Sequence, residues 1–165
     1  MADADSPQST MAAITEAVEL ARDGDRTAGR ERLLEVWGDL GPLGDALHRC
    51  ALAHHLADLY ADPAEALAWD LRALDAADAL TDERVQAEHA DLAVAGLYPS
   101  LHLNLADGYR RLGSFAAARR HLASAEEHVP HLHDDPYGRM IRAAISGVSA
   151  AIDERDTSPR GPAAR

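Results

Sequence analysis

Apolar residues recur along this chain at intervals of three and four with polar residues between them, and no stretch alternates long enough to form a strand. That pattern predicts a succession of amphipathic helices. Ser6-Pro7 opens the first, since Pro loses nothing at the first helical position and Ser can cap it; Ile14, Val18 and Leu20 carry it to Gly24. A second starts at Asp25, carries Leu33, Leu34, Val36 and Trp37, and stops at Gly41-Pro42. A third covers about residues 43–60. The fourth opens on Asp62-Pro63-Ala64-Glu65, where Asp caps, Pro fits the first turn and Glu reaches back. Its expected buried stripe is Leu67, Leu71 and Leu74, with Trp69 on another side, facing the seam with the next hairpin.

Thr81 caps a fifth segment. Residues 82–95 then form either a separate helix or the start of one long helix, kinked near Gly96 to Pro99 and running on through 112; the kinked form preserves the up-and-down alternation and is the one expected. Leu101, Leu105 and Leu112, with Ala106 and Tyr109 between, make the next stripe, and Ala118, Leu122, Ala125 and Val129 another. Gly113-Ser114 divides them: Gly tolerates the left-handed conformation that closes a helix, and Ser can cap the next. Asp135-Pro136 starts a last helix along Met140, Ile141, Ala144, Ile145, Val148 and Ile152. Residues 1–5 and 156–165 read as disordered ends flanking a single domain over 6–155.

The stretch NLADGYRRLGSFAAARRHLASAEEHVP, residues 104–130, carries the most specific spacing. It resembles a tetratricopeptide repeat (TPR), through His102, Leu105-Ala106, Tyr109, Ala118, Leu122, Ala125 and Pro130. His102 stands where that family usually has Trp, and Leu122 where it usually has Phe. LADLY at residues 56–60 repeats LADGY at 105–109 in four of five positions, and residues 11–40 read as a degenerate first hairpin with Glu16 and Gly29 where Leu and Ala are usual. The resemblance implies an all-α, TPR-like α-solenoid of about three helical hairpins plus a C-terminal capping helix. It also implies a concave groove lined by the first helix of each hairpin, which places His54, Asp58, Ser100, Leu103, Asp107, Arg110 and Arg111 on a face that binds a protein or peptide. The family's carboxylate clamp uses Lys, Asn and Arg; this chain offers Asn104 but no Lys.

Charge and composition narrow the function further. A formal net charge of -12 argues against a nucleic-acid footprint, which wants a basic face. All 16 basic residues are Arg, a mark of a high-GC bacterial genome. No apolar run approaches the roughly 18 residues of a membrane span, and MADADSPQST lacks the basic start and apolar run of a signal peptide, so the expected location is the cytoplasm. The lone Cys50 sits among apolar helical positions and reads as a small buried hydrophobe.

Chemistry beyond binding finds few anchors. His128, His131 and His133 with Asp134-Asp135 have the residue types of a divalent-metal site, against the reading of a polar inter-helix loop, which is preferred. His54 and His55 point about 100° apart on a helix and share a metal poorly. There is no Gly-rich phosphate loop and no nucleophile elbow, so no catalytic residue, cofactor or metal is assigned. The expected function is a non-enzymatic adaptor; the alternatives are a regulatory sensor for a signalling peptide or small molecule, and a metal-dependent enzyme.

Overall fold

A computed structural model describes residues 7–160 of the chain. Among them 76% are helical and none lies in a strand. Eight α-helices follow in order: α1 (Pro7–Arg22), α2 (Arg26–Leu40), α3 (Ala46–Asp58), α4 (Pro63–Asp78), α5 (Asp82–Gln86), α6 (Tyr98–Arg111), α7 (Phe115–His128) and α8 (Pro136–Asp153). Their starts obey the capping rules. The carboxylates of Asp25, Asp62 and Asp135 accept the backbone N–H groups of Ala28, Ala64 and Gly138, and the Thr81 hydroxyl accepts that of Arg84. Each such cap satisfies a donor the helix leaves orphaned and stabilises by about 1 kcal/mol. Ser114 occupies the cap position of α7 without a side-chain bond. Its N–H instead closes α6 onto the Tyr109 carbonyl at 2.9 Å, with Gly113 at φ 75° turning the chain.

Where the sequence pattern predicts one domain over 6–155, the chain divides into two compact units, Met1–Leu92 and Ala93–Arg165. In the first, α1 pairs with α2 and α3 with α4, and α3 touches both α1 and α2. Ile14, Ala17, Leu33, Val36, Leu52 and Leu56 form its core. Leu33, Leu52 and Leu56 are wholly buried, each contributing about 1.5–3 kcal/mol of transfer free energy. Trp69, expected at the seam with the next hairpin, packs within the first unit: it stands edge-on to Trp37 of α2 at 5.2 Å and stacks on Tyr60 at 6.4 Å. On α4 the buried line is Leu67, Asp70, Ala73, Ala76 and Ala77, whereas Leu71 is exposed, because small residues let α4 settle closely on α3.

Gly29 explains a departure noted in the sequence. A Cβ built there would lie 2.6 Å from the Ala21 Cβ and 2.8 Å from the Ala17 carbonyl oxygen, so α1 approaches α2 too closely for the usual Ala. Gly29→Ala should therefore destabilise by about 1–3 kcal/mol despite the better helix propensity of Ala. A melting temperature that rises instead would show that the two helices separate at little cost.

The expected long, kinked helix through residues 82–112 is absent; α5 and α6 are separate helices joined through a short 3-10 turn at Val94–Gly96. Two local causes act. Arg84 of α5 is held by Asp45, with Nε and Nη2 donating at 2.7 and 2.9 Å, and Val85 is wholly buried, so tertiary contacts fix α5 in its own direction. Pro99 then falls in the first turn of α6, where its missing N–H costs nothing, and so begins a helix instead of bending one.

In the second unit α6 and α7 form a hairpin and α8 packs against both. Its core joins Leu103, Ala106, Ala118, Leu122, Ala125, Leu132, Ile141, Ile145, Val148 and Ile152. Leu112, expected in the stripe, is exposed at the end of its helix. The supposed tail also differs: residues 156–160 lie back on α6, where Asp156 and Ser158 give carbonyls to Arg110 and Arg160 meets Asp107. The other predicted end, residues 1–5, and residues 161–165 fall outside the described residues. Among the described residues no helix is long and apolar enough to cross a membrane.

Candidate functional site

The predicted groove residues separate into two groups. Ser100, Leu103, Asp107 and Arg110 are interior, with Arg110 only 1% exposed, so this part of the predicted surface is not a surface. The reason is charge satisfaction. Arg110 donates through Nε and Nη2 to Asp107 at 3.1 and 2.6 Å, one helical turn away, and its remaining N–H groups reach the carbonyls of Asp156 and Ser158. Arg111 is half-buried. His54 is half-buried too, and its Nδ1 is enclosed with no hydrogen-bond partner among the described residues. Asp58 alone of the seven is exposed.

Asp58 lines a cleft of about 180 Å³ in the first unit, together with Val18, Ala21, Arg22, Arg26, His55 and Leu59. The ends of α1 and α3 and the start of α2 bring these residues together. Val18, Ala21 and Leu59 give it apolar walls; two guanidinium groups, one carboxylate and one imidazole complete the lining. Burial is the main cause that pushes the His55 pKa down to about 4, helped by His54 and Arg22 and opposed by Asp58. His55 is therefore neutral near pH 7 and offers one donor and one acceptor. His54, 5.8 Å away ring to ring, is also held below its usual pKa by burial, against the pull of Asp58.

Two of the cleft's charges oppose the dipoles of their own helices. Arg26 is the first residue of α2, at the positive end, and Asp58 the last of α3, at the negative end. Arg26 has a structural role: its Nη2 donates to the Asp58 carbonyl at 2.8 Å and so caps the end of α3. The Asp58 carboxylate makes no hydrogen bond or ion pair among the described residues and acts only through space, on His54 and His55. At that position it should destabilise by about 0.3–1 kcal/mol. Sequence reasoning found Asp58 through the resemblance and missed the other lining residues. Arg22 and Arg26 lie at i and i+4 across a break between two helices, so no single-helix pattern brings them together.

The expected polar loop at residues 128–135 has its groups engaged elsewhere. His128 Nδ1 donates to the Ser124 carbonyl, Asp135 caps α8 and Asp134 pairs with Arg139. No group of three or more His, Cys, Asp or Glu residues is arranged to hold a metal among the described residues. Further along the seam of α6 and α7, Tyr109, His121, His102 and Tyr98 stack in sequence at 5.3, 5.3 and 5.8 Å, and the Nδ1 atoms of His102 and His121 lie 3.1 Å apart. Cys50 is buried and its thiol pKa is pushed up to about 12, which makes it unreactive. Comparison with protein-family models, with curated proteins and with solved structures gives no match.

Proposed function

We propose that this chain is a non-enzymatic, TPR-like adaptor of the bacterial cytoplasm that binds a protein or peptide, and that the cleft between α1, α2 and α3 is its contact site. The observation that carries this reading is Asp58: an exposed carboxylate set against its helix dipole, with no hydrogen bond or ion pair among the described residues, lining a mixed-charge cleft with apolar walls. Residues retained at a cost to stability mark function more often than packing does. Support for the architecture comes from the pairing of α1 with α2, α3 with α4 and α6 with α7, and from α8 covering the last pair.

The lining defines a ligand chemistry. Arg22 and Arg26 suit a carboxylate, Val18, Ala21 and Leu59 suit a small aliphatic side chain, and Asp58 with neutral His55 suits an N–H or ammonium group. A peptide end with a small apolar residue combines all three. Panning a displayed peptide library against the protein should enrich such sequences, and Arg22→Glu should abolish the enrichment. Equal recovery by wild type and variant would place the contact elsewhere. The small volume also favours a second reading, a sensor for a free amino-acid-sized zwitterion. In that case free zwitterions saturate the cleft and no peptide competes with them.

A further inference from the structure

The end of α8 makes a backbone turn that its residue type resists. Arg155 adopts φ 55°, the left-handed region usually left to Gly, while its N–H bonds the Ile152 carbonyl at 3.1 Å and the Asp156 N–H bonds the Ala151 carbonyl at 2.8 Å. The Arg155 guanidinium lies 4.5 Å over the Phe115 ring of α7, which holds the turn in place. The chain is thereby sent back across α6. There Arg110 donates to two carbonyls two residues apart, those of Asp156 and Ser158, so one guanidinium grips a segment that bends at Ser158 twice. Two residues further on, Arg160 Nε lies 3.3 Å from the second carboxylate oxygen of Asp107. Asp107 Oδ1 is already occupied by Arg110, so each acidic oxygen has its own arginine. The Asp156 carboxylate accepts the Ser158 N–H at 2.8 Å and also feels the charge of Arg110.

We propose that Asp107 and Arg110 form a receptor for a peptide segment with two carbonyls spaced i and i+2 and an arginine at i+4, and that residues 156–160 fill it in cis as an autoinhibitory strap. The backbone contacts are indifferent to sequence, and the Asp107 contact selects the arginine. This site is separate from the cleft lined by Asp58 and does not depend on it. Residues 156–160 occupy the donors of Arg110 and one oxygen of Asp107, so a competing segment must displace the strap. Arg160 is the strap's exposed anchor and the natural place to loosen it.

The experiment uses the full chain and a fluorescein-labelled peptide, Asp-Glu-Arg-Asp-Thr-Ser-Pro-Arg, followed by fluorescence polarisation. Arg160→Glu sets a carboxylate against Asp107 and should free the strap, raising affinity for the labelled peptide about tenfold or more over wild type. The same peptide with its last Arg replaced by Glu should bind neither protein. Adding Asp107→Asn to the Arg160→Glu chain keeps the size of the side chain and a bond to Arg110, and should erase the preference for arginine. Peptide binding by wild type and Arg160→Glu at equal strength would overturn the strap. No saturable binding to the folded Arg160→Glu chain would overturn the receptor and leave residues 156–160 as a helix terminus only.

Discussion

Acidification from about pH 7.5 to pH 4 is expected to cost the first unit on the order of 3 kcal/mol through His55 alone, whose pKa is lowered to about 4 from the ordinary histidine value of about 6.5. A depressed folded-state value means that the unfolded chain takes up the extra proton. Stability is therefore complete above about 6.5 and falls as pH drops toward 4. His54 and His48 act in the same direction, because burial lowers both. His48 lies 3.6 Å from Asp45, and with burial outweighing the pull of that carboxylate the contact is dipolar near neutral pH rather than an ion pair. In the second unit His121 is lowered by burial and by Arg120, so it adds to the same loss. A domain of this size has only about 5–15 kcal/mol to lose. Urea midpoints measured across the range should fall steeply below pH 6, and His55→Gln should make the fall shallower. Identical midpoints at pH 7.5 and pH 4.5 would mean that these imidazoles are not buried neutral.

Arg110→Ala is expected to destabilise the protein by about 3 kcal/mol, because it strips the buried Asp107 of its buried partner and leaves it only the partly exposed Arg160. The substitution also removes the donors to the Asp156 and Ser158 carbonyls, so residues 156–160 should lose their hydrogen-exchange protection. For comparison, Leu105→Ala in the adjacent wholly buried position should cost about 2–5 kcal/mol by leaving a cavity, without exposing that segment. A loss under about 0.5 kcal/mol for Arg110→Ala would restore the exposed position that the sequence suggests.

That reversal shows where sequence reasoning is strong and where it is weak. Asp25, Asp62, Thr81 and Asp135 are legible as helix starts because a cap is a local contact, made within three residues. Gly113 is legible for the same reason. Asp107 and Arg110 look like exposed groove residues because charge is ordinarily solvated, and their burial is made tolerable by carbonyls 46 and 48 residues away. No local pattern encodes such a pairing. The separation of α5 from α6 likewise depends on Arg84 reaching Asp45, 39 residues back. Leu71 and Leu112 show the opposite error: alanines fill the close α3–α4 contact and leave Leu71 outside it, and Leu112 falls beyond the last turn of α6. For the cleft, only Asp58 was accessible, since its other walls come from helix ends that a stripe analysis treats as boundaries.

The most direct test of the proposed function is the affinity of a library-selected peptide for wild type and for Asp58→Arg, measured by calorimetry. Arginine suits the negative end of α3, so the variant should melt at the same temperature or slightly higher while binding falls by about tenfold or more. Unchanged affinity in a folded Asp58→Arg protein would contradict the account and remove the cleft as the contact site.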